Sequence, residues 1–283
     1  MATLWGGSIS FKTPLYFAVG FIGMFTIGGL TGVTHSIVPS DYQQQDTYYI
    51  VAHFHQVLFG GAIFGLFSGV YYWFPKITGR MLNEAWGKLH FWLMLIGFNL
   101  TFQPMMVLGL LGMPRRIQSY PDGYGWGFWN AMATAGAFMI AVSILVFIYN
   151  VIVSLRKGEV AGDDPWDGRT LEWTIPSPPP AYNFAEVPQV HALDDFWHRK
   201  YAEDAHGIPV PVPAGASDRA EDGGHGDGHG IHLPSPSYMP LIAAAGFPLI
   251  GFGLLYDAAL VAVGAAVLVV GLYLWVLEPA TEE

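Results

Sequence analysis

Two histidines, His53 and His55, stand two residues apart in a run of otherwise apolar and aromatic residues, Tyr48-Tyr49-Ile50-Val51-Ala52-His53-Phe54-His55, followed by Gln56 and Val57. An ionisable side chain at membrane depth is costly and as a rule functional. Successive residues of an α-helix rotate by about 100° and rise about 1.5 Å, so positions two apart point about 200° apart and differ in height by about 3 Å. The pair cannot readily share one metal ion, but it can serve two centres on opposite sides of one helix at almost the same depth. Neutral imidazole is an axial ligand of haem iron, with its second nitrogen held by a hydrogen bond. Two irons held this way would lie side by side with one helix between them, an arrangement suited to fast electron transfer. The competing reading makes each histidine a satisfied interhelical hydrogen-bond donor. That needs two independent polar partners on opposite faces, which is the rarer arrangement.

Three further features bear on the same chemistry. Arg115-Arg116 lies in a loop whose side of the membrane should carry few cations, and guanidinium pairs in bidentate fashion with carboxylates such as haem propionates. A topology exception in a polar loop is the alternative. Asp46, seven residues before His53, sits where a helix N-terminus favours an acid. The same position suits a magnesium ion or a propionate network, with Asp41 as a possible helper. Gly60 and Gly61 would let a flat macrocycle approach the helix backbone. Lys88, His90 and Asn99 read as packing or interfacial groups, not catalysts.

These residues need elements to hold them. The chain has 283 residues, 52% of them hydrophobic and only 12% charged. Soluble domains carry roughly twice that charge, so lipid is the expected solvent. There is no cysteine, which excludes disulfides, thiol catalysis, iron–sulfur ligation and a copper–thiolate site within these residues. Four apolar stretches at about Leu15–Thr34, Thr47–Phe74, Lys88–Gly112 and Phe128–Leu155 reach the ~20 residues that cross a bilayer. A further pair, about Tyr238–Tyr256 and Ala258–Leu277, reads as a hairpin turning near Asp257. The glycines at 28, 29, 32, 60, 61, 65 and 69 suit close packing of membrane helices.

Between the fourth and fifth stretches, Arg156–Pro236 holds 14 of the 22 acids behind the net charge of −10. Its proline and glycine content predicts an extended, mostly irregular segment. His225, His229 and His232 within it can be read as metal ligands, but low-complexity runs of this kind are more often linkers. Lys12, Lys76, Arg80, Lys88, Arg156 and Lys157 put three connections on one side, the cytoplasmic one by the positive-inside rule. The expected fold is all-α, a polytopic transmembrane helix bundle of about six spans. It divides into residues 1–155, a hydrophilic cytoplasmic segment 156–236 and a C-terminal hairpin 237–283.

At these residues the sequence resembles subunit I of cytochrome c oxidase, in the haem-copper terminal oxidase superfamily and of prokaryotic type. The match runs through Phe25-Thr26, Gly28 to Gly32, Asp46-Thr47-Tyr48-Tyr49, Val51 to His55 and Trp73-Phe74-Pro75. It continues in Gly109 to Arg116 and Tyr120-Pro121-Asp122. Beyond the last of these spans it includes Pro165-Trp166-Asp167, Thr170 to Trp173 and Pro178 to Phe184, covering about Met1 to Val190.

The resemblance implies that His53 is the proximal, catalytic ligand of the high-spin haem and His55 a ligand of the low-spin haem, both haems of the a type. It implies that Arg115 and Arg116 hold propionates and that Asp46 belongs to a magnesium and propionate region. Gln45 stands where the family often has a histidine, a departure that weakens the magnesium assignment. The resemblance further implies a multi-pass protein of a prokaryotic cell membrane, and a respiratory cytochrome c oxidase that reduces oxygen to water and moves protons. Its spans would be the last four of the family's twelve. The copper B ligands of the intact subunit would lie upstream of Met1, so the isolated chain is expected to be inactive. The implied partners are the N-terminal half of subunit I, the copper-bearing subunit II, a cytochrome c or small copper protein as donor, and lipid; no nucleic acid is expected. A quinol oxidase or nitric oxide reductase relative and a membrane fragment without haem are the rival readings.

Overall fold

Helix limits follow from capping and from the ends of the apolar runs. In a computed structural model describing residues 1–184, 187–203, 209–212 and 237–278, the first helix, α1 (Thr13–Ser36), starts with Pro14 in its first turn. Thr13 Oγ1 and its backbone N–H both donate to Glu84 Oε2, at 2.9 and 3.0 Å. A short helix, α2 (Val38–Gln44), fills the loop before the histidine helix. It is tied back to α1 where Thr34 Oγ1 donates to Gln44 Oε1 at 3.1 Å.

The histidine helix is α3 (Tyr48–Val57), capped by Thr47 Oγ1 accepting from Tyr49 N–H. It continues without a break through a π-helical stretch, Leu58–Ile63, into α4 (Phe64–Thr78), giving 31 residues in all. Gly79 ends it in the left-handed region at φ +69°, which suits a residue without Cβ. Asn83 then caps α5 (Glu84–Leu110), accepting from Ala85 and Trp86 N–H. For this reason the third span begins four residues before the apolar run at Lys88. The fourth is α6 (Trp126–Lys157).

These helices belong to a unit made of Met1–Pro179 with Ala192–Pro211. Its core is aromatic, with Phe17, Phe64, Phe91, Phe98 and Phe102 meeting between α1, α4 and α5. His90 is fully buried inside it, ringed by Phe17, Phe67 and Phe147 and bonded through Nδ1 to Tyr71 Oη at 3.1 Å. Its Nε2 is buried without a hydrogen-bond partner among the described residues. Helices α5 and α6 touch backbone to backbone, and a Cβ added at Gly136 would stand 2.5 Å from Thr101 N and 2.7 Å from Gly97 O.

The proline-rich segment after α6 is irregular but well anchored up to Pro179. Trp166 stacks on Tyr72 (6.0 Å, 15°) and donates its indole N–H to Tyr72 O at 2.8 Å. Trp173, 1% exposed, donates to Tyr72 Oη at 3.1 Å. Lys76 is buried, and its ammonium is caged by the carbonyls of Asp163 (3.0 Å), Ile175 (2.6 Å) and Pro176 (3.5 Å). Further on, α7 (Asp195–Lys200) leads into a two-stranded antiparallel ribbon, β1 (Tyr201–Glu203) with β2 (Pro209–Pro211). Lys200 bridges Asp164 and Asp167 at 2.7 Å each. Burial opposes its charge, but the two carboxylates outweigh that and hold its pKa above the usual lysine value.

Lys76→Met is expected to open residues 163–176 locally. The three carbonyls lose a charged donor, each buried unmade bond costing about 1–3 kcal/mol before water enters. Hydrogen exchange of the segment's amides should speed up, with exchange in α5 unchanged.

The second unit, Pro180–His191 with Val212–Glu283, holds α8 (Met239–Tyr256) and α9 (Ala258–Val276). Asp257 turns the hairpin and caps α9 through Ala259 N–H at 2.6 Å. Gly246 and Gly253 on α8 and Gly264 and Gly271 on α9 let the two backbones meet: a Cβ at Gly246 would lie 2.7 Å from Gly264 O. His225, His229 and His232 lie outside the described residues. Among the described residues six helices are long and apolar enough to cross a membrane. The fold is an all-α bundle of candidate membrane spans with a long polar segment before the last two.

Candidate functional site

The site is built on α3, because that helix passes between α1 and α5 and carries both histidines. His53 faces α1. Its Nδ1 lies 2.9 Å from Thr31 Oγ1, and the Thr31 hydroxyl proton is already given to Gly28 O at 2.8 Å. A hydroxyl has one proton to give, so toward His53 the oxygen accepts, and Nδ1 carries the hydrogen. His55 faces α5. Its Nδ1 is 2.7 Å from Val51 O, a group that can only accept, and its ring stacks on Phe102 (4.5 Å, 15°).

Both rings are therefore fixed in the same tautomer, with Nδ1 donating and the Nε2 lone pair bare. Neither Nε2 makes a hydrogen bond among the described residues. Both side chains are half-buried, so Nε2 remains accessible in each. Gln56, the next residue, is 1% exposed, and its Oε1 has no hydrogen-bond partner. Its amide reaches only Met106 Sδ at 3.9 Å.

The other residues expected to act with the histidines lie at the start of α3. The loop after α5 runs back alongside Asp46-Thr47, with Arg115 N–H donating to Asp46 O (2.9 Å) and Tyr48 N–H to Met113 O (3.0 Å). Arg115 forms an ion pair with the Asp46 carboxylate through one guanidinium nitrogen. Its Nε is buried with no hydrogen-bond partner. Arg116 is exposed and has a left-handed backbone, φ +65°, as does Asp46 at +59°. Asp41 is not with them. It lies on α2, 3.3 Å from His35 Nδ1. Among the described residues no three of His, Cys, Asp and Glu cluster closely enough for a metal ion. A divalent ion at Asp46 would have to compete with Arg115.

Two corrections arise here. Gly60 and Gly61 do not open a slot for a planar ligand, because α1 fills both places: a Cβ would meet Met24 Cβ at 2.8 Å and Phe25 Cδ2 at 3.1 Å. Gly32 on α1 is the glycine that leaves room for the His53 ring, since a Cβ there would be 3.0 Å from His53 Cε1. Sequence reasoning also passed over Thr31, His35 and Phe102. The first two are spaced i, i+4 at the end of α1, and that polar stripe facing a histidine helix was the available signal.

The geometry fits an iron porphyrin on each side of α3. Each imidazole has its distal nitrogen fixed and its ligating nitrogen bare, as axial ligation requires. A buried guanidinium N–H without a partner, at the end of the same helix, suits a ligand carboxylate. Haem would supply one-electron transfer and oxygen chemistry there; the chain's own part is to fix the rings and hold the carboxylates.

Comparison with known proteins points the same way. Residues 1–139 match the sequence family described as Cytochrome C and Quinol oxidase polypeptide I. Cytochrome c oxidase subunit 1 of Bacillus sp. (strain PS3) is 46% identical over 255 residues, 90% of this chain and 39% of that protein. The protein of the same name from Thermostichus vulcanus is 53% identical over 190 residues, 67% of this chain and 34% of its own length. Quinol oxidase subunit 1 of Bacillus subtilis (strain 168) is 42% identical over 258 residues, 90% of this chain and 37% of that protein. The chain thus spans about two fifths of the length of the curated relatives it matches.

Proposed function

We propose, from the match of residues 1–139 to the cytochrome c and quinol oxidase polypeptide I family, that the chain carries the paired haem ligands of a respiratory terminal oxidase. It is a multi-pass membrane protein, with six helices of spanning length and composition. His53 would hold the high-spin haem and His55 the low-spin haem, groups that when bound would supply oxygen chemistry and electron transfer respectively. The observation that carries this reading is the shared tautomer of two imidazoles directed to opposite flanks of one helix, each with a bare Nε2.

The protein groups divide the work. Thr31, through its bond to Gly28 O, fixes His53; Val51 O and the Phe102 ring fix His55. Holding Nδ1–H in a hydrogen bond raises the basicity of Nε2 and fixes the tautomer. Arg115 and Arg116 take the haem carboxylates, with Asp46 orienting Arg115. The copper B ligands, the remaining axial ligand and the donor-binding subunit are contributed by other segments of the assembled oxidase. Its other half of subunit I and its copper-bearing subunit II are the partners this reading requires.

The electron donor is a cytochrome c or small copper protein. A quinol is the second reading, because a quinol oxidase subunit is nearly as similar to this chain as the cytochrome c oxidase subunits are. The test is co-expression with the rest of a subunit I and subunit II, followed by a reduced-minus-oxidised spectrum. Two haem bands, one of them shifted by carbon monoxide, are expected. A preparation that assembles yet shows no haem band would make the chain a structural subunit. Reduction by cytochrome c against reduction by quinol then decides the donor.

A further inference from the structure

A third imidazole stands beside the His53 ring, and no part of the mechanism above uses it. His35 lies one turn after Thr31 on α1. Its ring centroid is 4.9 Å from that of His53, with the planes 64° apart. On its other side it meets Tyr49 edge-on at 5.4 Å, and its Nδ1 is 3.3 Å from Asp41 Oδ1 on α2. Its side chain is 15% exposed, and both ring nitrogens are buried without a hydrogen-bond partner, the Asp41 carboxylate lying close to Nδ1 without bonding it. A buried ring nitrogen left unmade is destabilising. An apolar ring would therefore serve better if the position were only packing.

We propose that His35 is a positioning residue for the high-spin haem ligand: packed edge-on against Tyr49 with the Asp41 carboxylate beside it, it fixes the rotation of the His53 ring about its bond to iron. This rests on the assignment of His53 made above. Thr31 anchors one atom of His53, Nδ1, which leaves the ring free to swing about that contact. His35 supplies the second contact, against the ring itself, and Gly32 between them leaves the ring its space. Two contacts one helical turn apart on α1 define the ring plane where one could not. The short helix α2 gains a purpose in this arrangement, because it is the element that carries Asp41 to His35.

The test uses the assembled oxidase and reads the iron–histidine stretching band of the reduced high-spin haem by resonance Raman spectroscopy. That band responds to ring orientation and to the Nδ1 hydrogen bond. His35→Leu and His35→Phe are expected to shift or broaden it, with the low-spin haem bands from the His55 side unchanged. Gly32→Ala, which crowds His53 directly, should shift the same band. Asp41→Asn leaves the ring in place and acts through it, so it should also move the band, and it keeps the test open if neither His35 variant assembles. A wild-type band in His35→Leu and His35→Phe, or in Asp41→Asn alone if those do not assemble, would overturn the proposal while leaving His53 as ligand. Absence of any high-spin haem from the unaltered protein would overturn both.

Discussion

His55→Ala, in a co-expressed and assembled oxidase, is expected to lose the low-spin haem absorption while retaining the carbon monoxide-sensitive high-spin band, and His53→Ala is expected to do the reverse. Selectivity is the informative part. The two rings have no partner in common: one is held by Thr31 and Gly28 on α1, the other by Val51 O and Phe102 on α5. Removing either side chain leaves the other's supports intact. Changes in the shell behind a metal ligand already cost about 10–100-fold in affinity, so loss of the ligand itself should lower occupancy of that haem by at least about tenfold. Oxygen reduction should fall to background in both variants. Glycine or leucine at either position should behave like alanine. Pyridine haemochrome assay gives the haem count, and difference spectra say which haem remains. Equal loss of both bands in each variant would mean that the histidines share a structural role.

The second large effect is expected from Gly136→Leu. Here α5 and α6 approach so closely that a Cβ at Gly136 already falls 2.5 Å from Thr101 N, a backbone atom that cannot move aside. A branched side chain must push the helices apart, at a cost toward the upper end of the roughly 1–3 kcal/mol usual for overpacking. In lipid no hydrophobic force restores the pair, because tight van der Waals contact is what holds such helices together. The variant should unfold at markedly lower temperature in detergent and accumulate poorly in membranes. The perturbation should also reach the His55 side, since α5 carries Phe102. Gly127 on the same helix has no atom within 4 Å of an added Cβ. Gly127→Leu is the control and should leave thermal unfolding unchanged.

Much of this was legible from residue types. Four long apolar runs and a hairpin pair gave six spans, and the helix ends differ from the runs by up to four residues, as where the Asn83 cap starts α5 at Glu84, ahead of Lys88. The 200° separation of His53 and His55 is a property of any helix, and the structure has one ring against α1 and the other against α5. The glycine readings were less secure. Composition shows that helices approach closely, but which glycine faces which helix depends on rotation about the axis, so Gly60 and Gly61 were assigned to a cofactor when Met24 and Phe25 occupy them. The anchoring of residues 163–176 was also hidden. Their sequence is rich in proline and charge, and their order comes from Tyr72 and Lys76, about ninety residues earlier. His35 escaped attention because it lies at the helix end, where a polar residue is ordinary; only its burial and its distance from His53 single it out.

The most direct measurement is a density map of the assembled oxidase, resolved well enough to place porphyrin rings. Two flat densities on opposite sides of α3 are expected, one iron joined to Nε2 of His53 and the other to Nε2 of His55, with carboxylates near Arg115. A map in which either Nε2 meets a protein hydrogen-bond partner, or in which no porphyrin touches α3, would contradict the account.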